Sequence, residues 1–300
     1  IIAETALNSG LSLPTILNEL ELNIVNKIER SLILAQLNDS TNISFTPTGS
    51  RNGLNISLGG TLTLGENKIQ TRVVNYPFDY NAHPGSSVPT LIIEWGNIKH
   101  DHIINIGGKF GPADYGTNLL EVNTHQYTLR GSYAEKFRII EDETLNLSIL
   151  TGISYSYSKM TAFDSPGNKI NIITQYGPIG WEGDESYFHN LQTIGFTSYL
   201  IGNVKLKTFI LGMNIGVTSG YTWGNNGISK YGVIGPFFNN SGFFNIGVET
   251  SSNVSIFRII PRINFSEGWQ FLPNSYLNIS YGPPIFDIFH TGSIFLSHIF

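Results

Sequence analysis

The sequence predicts an all-β fold: an antiparallel transmembrane β-barrel of about 12 strands (range about 10 to 14), preceded by an N-terminal amphipathic helix. Three observations predict it: long two-residue alternation, a shortage of charge, and no apolar run long enough to form a spanning helix. Successive side chains of a strand point to opposite faces, so alternation gives one greasy face and one wet face. Leu54, Ile56, Leu58, Leu62 and Leu64 interleave with Asn55, Ser57, Gly59, Thr61 and Thr63. Leu145, Leu147, Ile149, Ile153, Tyr155 and Tyr157 do the same with Asn146, Ser148, Gly152, Ser154, Ser156 and Ser158. Charged residues make up 13% of the 300, against roughly 25% in soluble proteins. The hydrophobic share, 41%, is ordinary, so Gly, Asn, Ser and Thr replace the charge. That balance suits a protein with lipid outside and water inside. No stretch reaches the roughly 18 apolar residues of a helical span, and a closed barrel is the other way to pair every backbone group in lipid.

Residues 1–40 form the first unit, a helical segment expected to pack on the barrel's rim or plug its lumen. Leu13 to Leu37 contains no Gly, and Pro14 sits in the first turn, where Pro is tolerated. Ser12 can cap the start. Ile16, Leu17, Leu20, Ile24, Ile28 and Leu32 recur at helical spacing, giving one helix of roughly six turns. Ile1 to Leu7 lacks the basic start and apolar core of a secretory leader, so the barrel reading takes the sequence as a mature or trimmed form.

Residues 41–300 form the second unit, the barrel. Strands are expected near 53–65, 68–76, 89–98, 102–111, 123–139, 144–161, 189–202, 204–222, 241–252, 254–266, 274–284 and 287–300, separated by turn signals. The stretches 76–87 and 162–188 read as loops, the second being the longest irregular segment and rich in Gly and Pro. Tyr155, Tyr157, Tyr221, Trp223, Phe237, Phe238, Phe243 and Phe244 lie toward strand ends, where interfacial aromatic girdles form.

The last strand reads Gly292-Ser293-Ile294-Phe295-Leu296-Ser297-His298-Ile299-Phe300. It resembles the C-terminal signature of bacterial outer-membrane β-barrel proteins, which end in an aromatic, usually Phe, on an alternating strand. The resemblance implies location in the bacterial outer membrane and makes Phe300 part of the signal read by the assembly machinery. His298 departs from the bulky apolar or Tyr residue more often found there. The match spans nine residues and names a class, without a specific family.

The strand 254–266 defines the expected interior. Arg258, Ile260, Arg262 and Asn264 share one face; Phe257, Ile259, Pro261, Ile263 and Phe265 share the other. Arginine at mid-membrane depth on the lipid side costs roughly 2–4 kcal/mol, so both guanidinium groups should point into the lumen. Pro261 removes a ladder hydrogen bond and suggests a bulge or kink. By the same logic Arg130, Lys136 and Glu249 are candidate lumen-lining residues. These features point to a porin or channel passing small solutes. The alternatives are a plugged transporter of apolar ligands, resembling the long-chain fatty-acid transporter type, or a surface adhesin or structural barrel. A soluble glycan-binding β-protein fits less well, because it gives no reason for the missing charge. Gly282-Pro283-Pro284 interrupts the penultimate strand and would make an opening for the transporter, although that family's Asn-Pro-Ala plug motif is missing.

Expected partners are the bilayer, the assembly machinery and small solutes, with an oligomer allowed. Net charge of −5 without a basic block argues against nucleic acid. No cofactor and no enzyme activity are expected. Cysteine is absent, which excludes disulfides and thiolate metal sites. His100-Asp101-His102 has metal-like spacing but no third ligand nearby in sequence, so no metal site is expected.

Overall fold

A computed structural model describes residues 34, 37–38, 40–49, 52–65, 67–73, 76–112, 115–117, 124–162, 168–174, 177–235, 244–284 and 289–300. The strands are β1 (Leu54–Gly65), β2 (Asn67–Val73), β3 (Tyr76–Gly96), β4 (His100–Pro112), β5 (Tyr115–Thr117), β6 (Thr124–Glu141) and β7 (Leu145–Ala162). They continue as β8 (Asn168–Thr174), β9 (Gly177–Leu206), β10 (Phe209–Gly235), β11 (Phe244–Leu272), β12 (Ser275–Gly282) and β13 (Phe289–Ile299). Every pairing is antiparallel. β1 pairs with both β13 and β3, which closes a ring of 10 strands in the order β1, β13, β12, β11, β10, β9, β7, β6, β4, β3.

Ten strands replace the expected dozen for two local reasons. The segments 241–252 and 254–266 are one strand: β11 passes through Ser251, Ser252 and Asn253, all paired in register with β10. The segment 68–76 supplies β2, which pairs only with the outer part of β3 and lies outside the ring. The stretch 76–87, read as a loop, extends β3, and much of 162–188 forms a β8–β9 hairpin. Both carry the Gly and Pro residues that mimic turn signals. β9 is 30 residues long, about three times a tilted membrane crossing, so these hairpins project well past a bilayer.

One end of the barrel carries short turns at 97–99, 142–144, 207–208 and 273–274. Lys207 and Asn274 adopt positive φ of 53° and 58° there, as tight hairpins require. The other end carries the long hairpins. The alternation maps onto the two faces of the wall. Leu58, Ile106, Leu129, Ile153, Ile194, Phe196, Ile215, Ile259 and Leu296 are exposed on the outside, while Asn55, Ser57, Thr61, Thr63, Asn105, Thr193, Thr197 and Asn214 are buried inside. This is a soluble protein turned inside out, as a lipid-facing barrel must be. Tyr155 and Tyr221 stand on the outer surface, with Trp223 stacked on Tyr221 at 5.6 Å. Phe237, Phe238 and Phe243 lie outside the described residues.

Pro261 corrects another expectation. The β10–β11 register runs through it without a shift, and the bulge of β11 lies instead at 270–272. Pairing with β12 stops at Phe265, so at Pro261 β11 has a strand partner on one side only among the described residues. A missing N–H is tolerated at such an edge. The helix expected over Leu13 to Leu37 falls almost wholly outside the described residues. Leu34, Leu37, Asn38, Ser40 and Thr41 are helical, and the chain leaves that conformation at Asn42.

Candidate functional site

The site is the lumen, and residues 37–49 run through it. Leu37, Asn38, Ser40, Thr41, Ile43, Ser44, Thr46 and Thr48 are all buried, although they precede the first wall strand. Wall glycines make the room. A Cβ at Gly152 would lie 2.6 Å from both Ile43 Cδ1 and Ala134 Cβ, and one at Gly195 would lie 3.0 Å from Thr41 Cγ2. At Gly220 it would collide with Thr41 and come within 2.8 Å of Leu37 Cδ1. Three strands, β7, β9 and β10, therefore present bare backbone where the segment passes.

Ile43 is the apolar centre. It packs with Ile92, Ile103, Ala134, Leu150, Tyr199, Ile201 and Phe295, with Phe45 alongside. A fully buried isoleucine contributes about 1.5–3 kcal/mol, which accounts for an apolar patch inside an otherwise polar lumen. Around it several of the segment's polar groups find wall partners, as burial demands. Ser156 donates to the Ser40 hydroxyl at 2.6 Å, Thr197 to the Thr41 carbonyl at 2.7 Å, and Asn203 to the Pro47 carbonyl at 3.3 Å.

The two ends of the segment meet charged residues. Toward the long hairpins, the Arg262 guanidinium donates to the carbonyl of Asn38 at 3.0 Å and to its side-chain oxygen. Toward the short turns, the buried Glu94 carboxylate accepts the Thr46 N–H at 3.0 Å, the Thr46 hydroxyl, and Asn55 Nδ2 at 2.7 Å. Beside it, Asp101 Oδ2 pairs with Lys136 Nζ at 3.0 Å and Arg138 at 2.5 Å. Gly49 rests on this trio with φ of +62° and 2.9 Å between its ideal Cβ and Lys136 Nζ. Glycine alone satisfies both the left-handed backbone and the contact.

The candidate lumen-lining residues are placed as follows. Arg130 and Arg262 are buried, and Lys136 sits in the ionic trio. Arg130 donates to the hydroxyls of Thr61 at 2.8 Å and Thr90 at 2.6 Å. Arg258 is partly buried on the same strand face as Arg262. The backbone of Glu249, in β11, pairs with that of Ser229 in β10; its side chain lies outside the described residues. Phe300 is exposed at the short-turn end, and its N–H bonds the Leu54 carbonyl at 2.8 Å. Sequence reasoning missed Asn38, Thr46, Glu94, Asp101 and Arg138. Only the inward parity of Glu94 and Asp101 on otherwise apolar or neutral strands signalled them.

The expectation that His100 and His102 lack a third ligand is corrected. β4 pairs with β6 so that His102 faces Glu135. The three side chains bring ligand atoms within 4.8 Å of one another on the barrel's outer surface.

No family model matches the chain, and no curated protein matches it by sequence. Solved structures do. The outer membrane protease OmpT of Escherichia coli aligns over 87% of this chain and 100% of its own, with a TM-score of 0.53 and 12% identity. The translocator domain of the autotransporter NalP of Neisseria meningitidis aligns over 94% and 98%, with a TM-score of 0.41 and 11% identity. These neighbours are outer-membrane β-barrels, and at such identities the likeness is one of fold alone. It overturns one expectation. A barrel of the same architecture serves a protease, so this fold gives no ground for setting catalysis aside.

Proposed function

We propose that the protein is a bacterial outer-membrane barrel that holds its own upstream chain in its lumen and presents it at the cell surface. One observation carries the reading: the direction of the threaded segment. It runs from Asn38, beside Arg262, to Gly49, beside Asp101, and then enters β1 at the short-turn end. Short turns face the periplasm in such barrels, and longer loops face outward. The Leu37 end of the segment therefore lies toward the long hairpins, which in this reading face the outside. In this reading β13, which closes the ring against β1, is what the assembly machinery recognises, and the bilayer surrounds the apolar belt.

The passage of small solutes is a second reading, supported by the cationic wall. Arg130 is held by the wall hydroxyls of Thr61 and Thr90, so this charge would persist if the segment left. In the assembled state the segment fills the passage, and conductance would require its displacement.

The absence of cysteine from these 300 residues makes the orientation testable. A single Ser9→Cys variant should react with a membrane-impermeant maleimide on intact cells. Lys207→Cys and Asn274→Cys, in the short turns, should react only after the membrane is opened. The reverse pattern would sink the reading.

A further inference from the structure

We propose that His100, His102 and Glu135 form a binding site for a divalent transition metal of the zinc class, on the outer surface of the wall at its short-turn rim. This site is separate from the lumen. Its three donors come from two adjacent strands, β4 and β6, and their arrangement follows from the pleat: His100 and His102 share the outward face of β4, two residues apart, and Glu135 stands opposite His102. His100 Nε2 lies 3.7 Å from one carboxylate oxygen of Glu135, and His102 Nδ1 lies 4.0 Å from the other. Ligands about 2.0–2.2 Å from a tetrahedral zinc stand roughly 3.3–3.5 Å apart, so a small contraction of these side chains would close the site.

Three features favour a metal over a plain histidine–carboxylate contact. His100 Nε2 is shielded from solvent yet makes no hydrogen bond, and a covered nitrogen without a partner is costly. Both imidazoles are held flat by aromatic neighbours: His100 stacks on Phe137 at 4.3 Å and His102 on Trp95 at 5.3 Å. The Tyr133 hydroxyl donates to Glu135 Oε1 at 2.9 Å; its 2.8 Å contact with His102 Nδ1 is one that a metal on that nitrogen would replace. A carboxylate fixed by such an outer partner is a common support of metal sites. Two imidazoles with one carboxylate suit zinc, copper or nickel better than calcium or magnesium. Three protein ligands leave the fourth position to water.

The place of the site gives it a consequence for the lumen. Asp101, between the two histidines, and Lys136, next to Glu135, point inward to the ionic trio under Gly49. A metal would tie together, from outside, the two strands that carry the ionic trio beneath Gly49.

Zinc titration of the folded barrel in detergent, without an affinity tag, tests the proposal. The expected result is one equivalent bound at micromolar affinity or tighter. His100→Ala, His102→Ala and Glu135→Gln should each weaken it at least tenfold, and His290→Ala should leave it unchanged. Heat-dependent gel mobility checks that each variant is folded. Copper bound to the unaltered protein gives a second readout free of any variant: its electron paramagnetic spectrum should show coupling to two imidazole nitrogens. Binding weaker than millimolar, binding indifferent to all three substitutions, or a copper spectrum without imidazole coupling would overturn the assignment.

Discussion

The two ends of the threaded segment are held by different chemistry. At the short-turn end, the turn around Thr46 to Gly49 rests on Glu94, Asn55 and the Asp101–Lys136–Arg138 trio, so several bonds must fail together before it moves. At the other end, among the described residues, Asn38 is met from the wall by one guanidinium, that of Arg262, while the Thr41 hydroxyl of its own turn also donates to its carbonyl. Between them Ile43 sits in an apolar pocket cut by small wall residues. The contrast teaches that the segment is fixed where it joins the barrel and releasable where it faces outside. That is the arrangement expected of a tether carrying an upstream chain.

The largest effect should come from breaking the fixed end. Asp101→Ala takes the carboxylate from buried Lys136 and leaves Arg138 with Glu141 at 3.6 Å, and losing one partner of a buried ion pair costs about 3–5 kcal/mol. Urea unfolding of the refolded barrel should register a loss of that size. If stability were unchanged, the trio would not be the anchor.

Crowding the middle should come next. Gly220→Val places methyl groups where Thr41 and Leu37 pack; overpacking of this kind costs about 1–3 kcal/mol. The segment is then expected to leave, and planar-bilayer recordings should change from silent to stepwise conductance. Persisting silence in a folded variant would mean that the lumen is closed by something else.

The releasable end should respond locally, on a similar energy scale. Arg262→Ala removes charge-assisted hydrogen bonds, worth about 1.5–3 kcal/mol when partly compensated. Limited proteolysis near Asn38 should accelerate severalfold, while cleavage near Thr46 should not. Equal acceleration at both places would erase the asymmetry. Glu94→Gln should be smaller still, about 1 kcal/mol, because an amide oxygen can keep one of the bonds from Thr46 or Asn55.

Much of the wall was legible because its signal is local. Parity alone put Arg258 and Arg262 on one face and Phe257, Ile259 and Phe265 on the other, and membrane energetics decided which face looked inward. The strand count failed where local signals mislead: Ser251-Ser252-Asn253 has turn composition but stays extended because β10 supplies partners for its backbone. The lumen segment was illegible for another reason. Asn38, Ser40, Thr41 and Ser44 look like a polar linker, and their place comes from wall residues far along the sequence, such as Gly195 and Gly220 against Thr41, Ser156 against Ser40 and Arg262 against Asn38. Likewise, no spacing rule links His102 to Glu135, 33 residues on. Only the β4–β6 register does.

The central claim is that residues 37–49 occupy the lumen, and a disulfide tests it most directly. An ideal Cβ on Gly195 lies 3.1 Å from Thr41 Cα and 3.0 Å from its Cγ2, which puts the two Cβ atoms near the roughly 3.5–4.5 Å separation of a disulfide. In a chain otherwise free of cysteine, Thr41→Cys combined with Gly195→Cys should oxidise spontaneously and shift mobility on a non-reducing gel. Thr41→Cys with the outward Ile194→Cys should stay reduced. Free thiols in the first pair, in a barrel shown to be folded, would contradict the account.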